Sequence, residues 1–267
     1  MSIAGAFARC GAAGRTAFIP YVMAGHPSVS ATAAILHAAC EAGADVIEVG
    51  IPYSDPLADG PIIRAAATRA LSRGTTFEGV LAMVSALDRR AVPAPLVAFT
   101  YCNPVFVRGV ERTAHDLARA GFAAAILPDL PPEEAQPVRA ALAREGLGLV
   151  LLVAPTTPPD RVREIALASD EFVYVVSRLG VTGTSVPPSE VARRLVSEVR
   201  TATSKPVAVG FGVSTPEQAR AIAAFADGVI VGSALVARVA ESPGREEAAV
   251  REYCGSLAAA LVREPVA

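Results

Sequence analysis

Short apolar runs alternate with segments of helical periodicity along the whole chain. The predicted strands cover residues 17–23, 45–49, 96–101, 123–127, 147–153, 172–176, 206–209 and 228–231. The clearest helical segments between them cover residues 31–41, 133–145, 190–202 and 217–225. Strands that alternate with helices form a parallel sheet, and eight such units in 267 residues match the size of a closed barrel. We therefore predict an α/β fold, a single (β/α)8 barrel of the TIM type formed by one domain over residues 1–267.

The N-terminal segment, residues 1–16, allows two interpretations. It contains arginines but no acidic residue, as transit peptides do. Within it, however, Ile3, Phe7 and Cys10 recur at helical spacing. We therefore expect an extra N-terminal helix packed under the barrel.

The charge balance and the cysteine pattern exclude several classes of function. The formal net charge is −2 and Lys205 is the one lysine, so the chain offers no basic face to nucleic acid. The four cysteines are widely separated, which predicts no disulfide framework and is typical of a protein in a reducing cytoplasm. The three histidines do not cluster, so no metal site is predicted. Because no apolar run approaches the roughly 20 residues that span a bilayer, we expect no membrane segment.

The densest candidate for chemistry is the run IEVGIPYSDPLADGP at residues 47–61. Glu48 lies near the end of the second strand, and Asp55 and Asp59 follow in the next loop, where barrel enzymes carry their active sites. The period of two in the strand directs Glu48 either into the barrel or among the helices. A structural carboxylate satisfied by backbone donors is the alternative for Glu48, and loop capping is the alternative for the two aspartates. Three prolines restrict the loop and favour a fixed distance between Glu48 and Asp59.

Glycine-rich segments follow the sixth, seventh and eighth predicted strands. The run SRLGVTG at residues 177–183 is typical of a mobile lid. Gly210-Phe211-Gly212 and Gly232-Ser233 follow the last two strands, where many barrels bind phosphate next to a helix N-terminus. Tight-turn glycine is the alternative for each cluster alone, but together they predict a phosphate site, with Phe211 beside the substrate.

The residues that are missing narrow the mechanism. Imine chemistry needs a lysine at the barrel mouth, whereas Lys205 precedes the seventh strand and so lies at the opposite face. His37 and His115 lie within predicted helices and only His26 follows a strand, so ligands for a catalytic metal are lacking. What remains is acid and base catalysis by carboxylates on a phosphorylated substrate.

Aromatic side chains could line the mouth of the barrel. Tyr21 ends the first strand, Tyr101 ends the third and Tyr174 lies in the sixth. Buried tyrosine hydroxyls need polar partners, which favours the mouth over the packed interior for these three residues. For Val97 and Phe172 we expect ordinary core packing.

Several motifs together resemble one enzyme family. The run PYSDPLADGP, preceded by Glu48, occurs with YCNPVF, SRLGVTG, GFG and GSA along almost the whole chain. This set resembles the alpha subunits of tryptophan synthase. The resemblance implies that Glu48 is the general acid and base at indole C3 and the glycerol hydroxyl, and that Asp59 stabilises the indole nitrogen. The other contacts that it implies are Tyr21, Phe99 and Ile126 for the indole ring, Tyr174 for the reacting group, Thr182 for lid closure onto Asp59, and Gly183, Gly212, Gly232 and Ser233 for the phosphate.

The resemblance also implies a substrate and a partner. The substrate would be indole-3-glycerol phosphate, and the partner a beta subunit in an alpha2-beta2 complex, which the Pro52 to Asp55 loop and residues 103–106 would contact. Pyridoxal phosphate is expected only in that partner, and no cofactor in this chain. A freestanding lyase, a non-catalytic activator of a beta subunit and a sugar-phosphate isomerase are the alternatives. The chain departs from the family pattern at His26, Arg64 and TSVPP, residues 184–188.

Overall fold

The structure, a computed structural model, describes residues 2–176, 188–210 and 212–262. In these residues one sheet contains nine parallel strands. Their bounds are β1 Ala17–Met23, β2 Ile47–Gly50, β3 Leu96–Phe99, β4 Phe122–Ile126, β5 Gly148–Val150, β6 Leu152–Val153, β7 Val173–Val176, β8 Val207–Gly210 and β9 Gly228–Val231.

Helices surround the sheet and connect all consecutive strands except β5 and β6. Their bounds are α1 Ile3–Ala12, α2 Val29–Glu41, α3 Pro61–Ser72, α4 Phe77–Ser85, α5 Cys102–Arg108, α6 Val110–Ala120, α7 Ala135–Arg144, α8 Pro159–Ala168, α9 Pro188–Ala202, α10 Pro216–Ala223, α11 Ser233–Ala240 and α12 Glu246–Ala259, with a 3-10 turn at Pro132–Glu134. Ser28, Thr76 and Thr215 cap helices through their side-chain oxygens, as expected for these residue types. None of the described helices combines the length and the apolar character needed to cross a membrane.

The strand order closes the sheet into a barrel. Strands follow the order β5-β4-β3-β2-β1-β9-β8-β7-β6, and β5 and β6 are separated in the chain only by Leu151. The carbonyl of Leu151 accepts from the amide of Tyr174 at 3.1 Å, so pairing with β7 continues across the interruption. β5 and β6 together form the fifth barrel strand, and the predicted (β/α)8 barrel is confirmed.

The first and last predicted strands match the structure, four others differ by one residue at one or both ends, and the second and third differ by two residues at one end. The second strand begins at Ile47 rather than Asp45, because the amides of Asp45 and Val46 both point to the carbonyl of Phe18 and the regular ladder starts after them. The third strand ends at Phe99 rather than Tyr101, because Tyr101 is already the residue that precedes helix α5.

Side chains of the strands divide into two cores with a period of two. Val46 and Val97 belong to the core inside the barrel, whereas Ile47 and Val49 belong to the core between the sheet and the helices. Helix α1 contributes to the inner core: the rings of Phe7 and Phe172 lie 5.7 Å apart. The extra N-terminal helix therefore packs against the interior of the barrel.

Aspartates join neighbouring strands at the end of the barrel where the strands begin. The amide of Asp45 donates to the carbonyl of Phe18 at 2.9 Å, and the Asp45 carboxylate accepts from the amide of Phe18 at 2.9 Å. Arg15 donates two hydrogen bonds of 2.6 Å to the same carboxylate. The same arrangement recurs with Asp170, Leu149 and Arg139, and with Asp227, Val207 and Arg200.

Replacing Asp45 by Asn is expected to destabilise the barrel. The amide side chain loses the charge-assisted pair with Arg15 and weakens the bond to the buried amide of Phe18, so the free energy of unfolding should fall by about 2 kcal/mol. Urea unfolding measures the change. Glu252→Gln on the exposed side of α12 is the control, and equal stabilities of the two variants would contradict the assigned role of Asp45.

Candidate active site

Glu48 lies inside the barrel, on strand β2. Its Cα is paired in register with those of Tyr21 on β1 and Val97 on β3. The residue is 1% exposed, and Oε1 accepts no hydrogen bond from any described residue. Burial raises the pKa of this carboxyl to about 8, so the group is protonated at neutral pH. Of the two orientations that the sequence allowed, the structure has the inward one, and Oε1 lacks the backbone donors of a structural carboxylate.

Asp59 lies in the loop between β2 and α3. Its amide donates to the carbonyl of Pro56 at 3.1 Å, and α3 begins two residues later at Pro61. The Tyr101 hydroxyl bonds to the Asp59 carboxylate and accepts from the amide of Ala58 at 3.2 Å. Burial raises the pKa of Asp59 to about 6, although Tyr101 and the charge of Arg64 oppose the rise. Asp59 is therefore mostly ionised at neutral pH, while Glu48 is protonated.

Two buried tyrosines lie beside both carboxyl groups. A Cβ atom at Gly50 would overlap the hydroxyl of Tyr21, and a Cβ at Gly210 would come too close to the hydroxyl of Tyr174. The glycines thus leave room for the two hydroxyls at the ends of β2 and β8. Burial raises the pKa of both tyrosines, and the charges of Glu48 and Asp59 add to the rise. Both hydroxyls stay protonated and can donate hydrogen bonds at this mouth.

Apolar side chains of neighbouring strands complete this part of the site. The ring edge of Phe99 meets the ring of Tyr21 at 90°, with 5.5 Å between the centroids. Phe99 and Ile126 are register partners on β3 and β4, and both are buried in the inner core. The structure thus brings the predicted ring-contacting residues together near Glu48.

The predicted phosphate residues follow the last two strands. Gly232 precedes α11 and Ser233 is its first residue, and no side chain caps this helix start. Gly212 follows β8 with a φ of 91°, a conformation that favours glycine. Thr182, Gly183 and Phe211 lie outside the described residues, as does the predicted lid at 177–183. The described part of the site therefore has an open helix N-terminus near Tyr21.

The chain as a whole matches a family model. This model, described as tryptophan synthase alpha chain, matches residues 7–261. The chain belongs to the tryptophan synthase alpha chain family. The resemblance inferred from its motifs is confirmed.

Individual members of the tryptophan synthase alpha chain family are similar over their full length. The alpha chain of Thermosynechococcus vestitus is 50% identical over 96% of each chain, and that of Prochlorococcus marinus is 48% identical over 96% of this chain and 94% of that one. Among solved structures, a chain of Mycobacterium tuberculosis tryptophan synthase has a TM-score of 0.90 at 42% identity, with 98% of both chains covered. The alpha subunit of Legionella pneumophila has a TM-score of 0.88 at 31% identity, again over 98% of both chains.

Other polar residues near the site bear on the sequence-based expectations. Asp55 is exposed and accepts a hydrogen bond from the Ser54 hydroxyl at 2.7 Å. Asp129 was missed: its carboxylate accepts from the amide of Cys102 at 3.0 Å and orients the start of α5. Its position just after β4 was the available signal. In the described part of the chain, no group of three or more His, Cys, Asp or Glu side chains could hold a metal ion.

Replacing Glu48 by Gln is expected to change how stability depends on pH. The native carboxyl keeps its proton up to about pH 8, whereas the unfolded chain releases it near the ordinary value of 4.5. Wild-type stability therefore falls as the pH rises between these values, because the native state binds the additional proton. At about pH 8, E48Q should be more stable than wild type by a few kcal/mol, and near pH 4.5 this advantage should disappear.

Urea unfolding of both proteins at the two ends of this pH range measures the difference. Asp55→Asn is the matched control, since it neutralises an exposed carboxyl of the following loop. A difference between E48Q and wild type that does not vary with pH would show that Glu48 is not protonated in the native state.

Proposed function

We propose that this chain cleaves indole-3-glycerol phosphate to indole and glyceraldehyde 3-phosphate by a retro-aldol reaction. The observation that carries the proposal is the buried Glu48 carboxyl, whose Oε1 lacks a partner among the described residues and whose pKa is about 8. A carboxylic acid that is neutral at physiological pH can donate a proton to carbon and then accept one from oxygen.

Glu48 serves in both proton transfers of the proposed reaction. Its proton goes to indole C3, which becomes tetrahedral and leaves a positive charge at the ring nitrogen. A proton then leaves the hydroxyl on the adjacent side-chain carbon, and a carbonyl forms there. The bond from that carbon to C3 breaks, and its electron pair restores the aromatic ring. The protons balance, so the enzyme returns to its starting state.

Asp59 stabilises the charge that develops on the indole nitrogen. A carboxylate near this nitrogen offsets positive charge only if it stays ionised. The pKa of about 6 meets this condition at neutral pH, and the bond from Tyr101 helps to hold the ionised form. At a pH between the pKa values of the two carboxyls, Glu48 is protonated while Asp59 is ionised.

The remaining predicted residues position the substrate. Phe99, Ile126 and Tyr21 offer an apolar wall for the indole ring, and Tyr174 contacts the reacting side chain. The uncapped amides at the start of α11 suit an anion. We assign the phosphate to Gly232 and Ser233, with Gly212, and retain Gly183, Thr182 and Phe211 as predicted contacts.

Replacing Glu48 by Gln is expected to abolish cleavage while phosphate-ligand binding persists. The amide cannot transfer the proton, so the rate of indole release should fall by about 100-fold or more. Asp55→Asn, which changes an exposed acid of the neighbouring loop, should retain the wild-type rate without a partner. If E48Q kept wild-type turnover, Glu48 would not be the proton donor.

We infer that the chain works with a tryptophan synthase beta subunit. The Pro52 to Asp55 loop and residues 103–106 lie together at the mouth of the barrel. The Tyr53 hydroxyl accepts a hydrogen bond from the side-chain amide of Asn103 at 3.0 Å. Large apolar side chains are exposed here: Phe106 of the second segment is 49% exposed, and Leu57, two residues after the first segment, is 89% exposed. We propose an alpha2-beta2 complex in the cytoplasm, with pyridoxal phosphate in the beta subunit and no cofactor in this chain.

Indole release should rise strongly when the beta subunit of the same organism is added in equimolar amount. The measurement compares purified chain with and without the partner on indole-3-glycerol phosphate. A fast rate that ignores the partner would favour a freestanding lyase. Absence of indole in the chain alone, together with a stimulated beta reaction in the mixture, would favour a non-catalytic activator.

A further inference from the structure

His26 is a buried imidazole that the proposed reaction does not use. It follows strand β1 and is only 4% exposed. Neither ring nitrogen has a hydrogen-bond partner among residues 2–176, 188–210 and 212–262. Burying a polar side chain without a hydrogen-bond partner costs folding free energy, so such a group calls for an explanation in the structure around it.

The loop that carries His26 is held on both sides. The amide of Gly25 donates to the Thr32 hydroxyl at 2.9 Å, and the amide of His26 donates to the carbonyl of Met23 at 3.2 Å. Arg73, at the end of α3, donates to the carbonyl of Pro27. These contacts fix the backbone of the loop on either side of the imidazole.

The imidazole lines a small cavity between β1 and α11. The other lining residues are Tyr21, Val22, Met23, Leu235, Val236 and Val239. All three residues from α11 are apolar, so this helix offers His26 no counter-charge. A neutral ring suits this contact, whereas a charged ring would face apolar side chains.

Charged groups reach His26 from two other helices. Arg69 and Arg73 belong to α3 and its end, and Glu246 opens α12. Burial lowers the pKa of His26, the two arginines lower it further, and Glu246 opposes them. The ring is therefore neutral at physiological pH, and its protonation on acidification adds a charge that the surroundings disfavour.

Helix α11, which lines this cavity together with His26, is the helix whose first residues we assign to the substrate phosphate. We propose that His26 is a positioning residue: its neutral ring keeps α11 against β1, and protonation of the ring loosens this packing and weakens phosphate binding. The inference rests on the proposed function for the identity of the phosphate ligand. The position of His26 beside α11 in one cavity does not depend on the proposed function.

The kinetic test compares wild type, His26→Asn and His37→Asn between about pH 8 and about pH 5.5. His37, half exposed on α2 beside Glu41, is the matched control. The substrate phosphate and both active-site carboxyls titrate alike in all three proteins, so only differences between variants are informative. We expect KM to rise on acidification by about threefold more in wild type and His37→Asn than in His26→Asn, with the same kcat profile in all three.

Hydrogen exchange of α11 tests the packing without substrate. After correction for the intrinsic pH dependence of exchange, residues 233–240 should lose protection at the lower pH in wild type and His37→Asn, and keep it in His26→Asn. An equal rise of KM in all three proteins, or unchanged protection of α11 in wild type, would overturn the inference. If the wild-type chain gives no indole at any pH, the proposed function fails, and the difference in exchange between wild type and His26→Asn still decides whether His26 controls α11.

Discussion

Parallel pairing that closes the sheet on itself is the constraint on which the other features depend. β1 pairs with both β2 and β9, and the interrupted fifth strand joins β4 to β7. Closure gives every strand an inner and an outer face, and it brings the ends of all strands to a common mouth. A glutamate on the inner face of β2 is thereby removed from water, and residues far apart in the chain become its neighbours.

Acidic residues at the two ends of this barrel have opposite surroundings. Asp45 at the end where strands begin receives two hydrogen bonds from Arg15 and one from the amide of Phe18. Glu48, three residues later in the chain, has one carboxyl oxygen that no described residue hydrogen-bonds. The fully bonded aspartate stabilises strand pairing, whereas the desolvated glutamate retains a proton at neutral pH. The aspartates that join strands thus lie at one end of the barrel, and the candidate active site lies at the other.

Most of the fold could be predicted because each strand and helix is encoded locally. The short apolar runs and the helical periodicity between them depend only on neighbours in the chain. Boundaries were less predictable: the start of β2 depends on a shared carbonyl of Phe18, a residue 27 positions before Asp45. The polar loop residues of the candidate site were found because they directly follow predicted strands. Asp129 was missed because its carboxylate accepts a hydrogen bond from the amide of Cys102, at the start of α5, which is distant in the chain.

The sequence by itself determined the alternation of strands and helices and the family motifs. It also placed Glu48 near the end of the second strand and Asp59 in the loop that follows. Only the tertiary structure decided that Glu48 points inward and that Tyr21 and Tyr174 lie against glycines of adjacent strands. It also decided that His26 is buried against α11. The physical reason is that burial and pKa depend on which distant segments exclude water from a side chain, and that is settled only when the barrel closes.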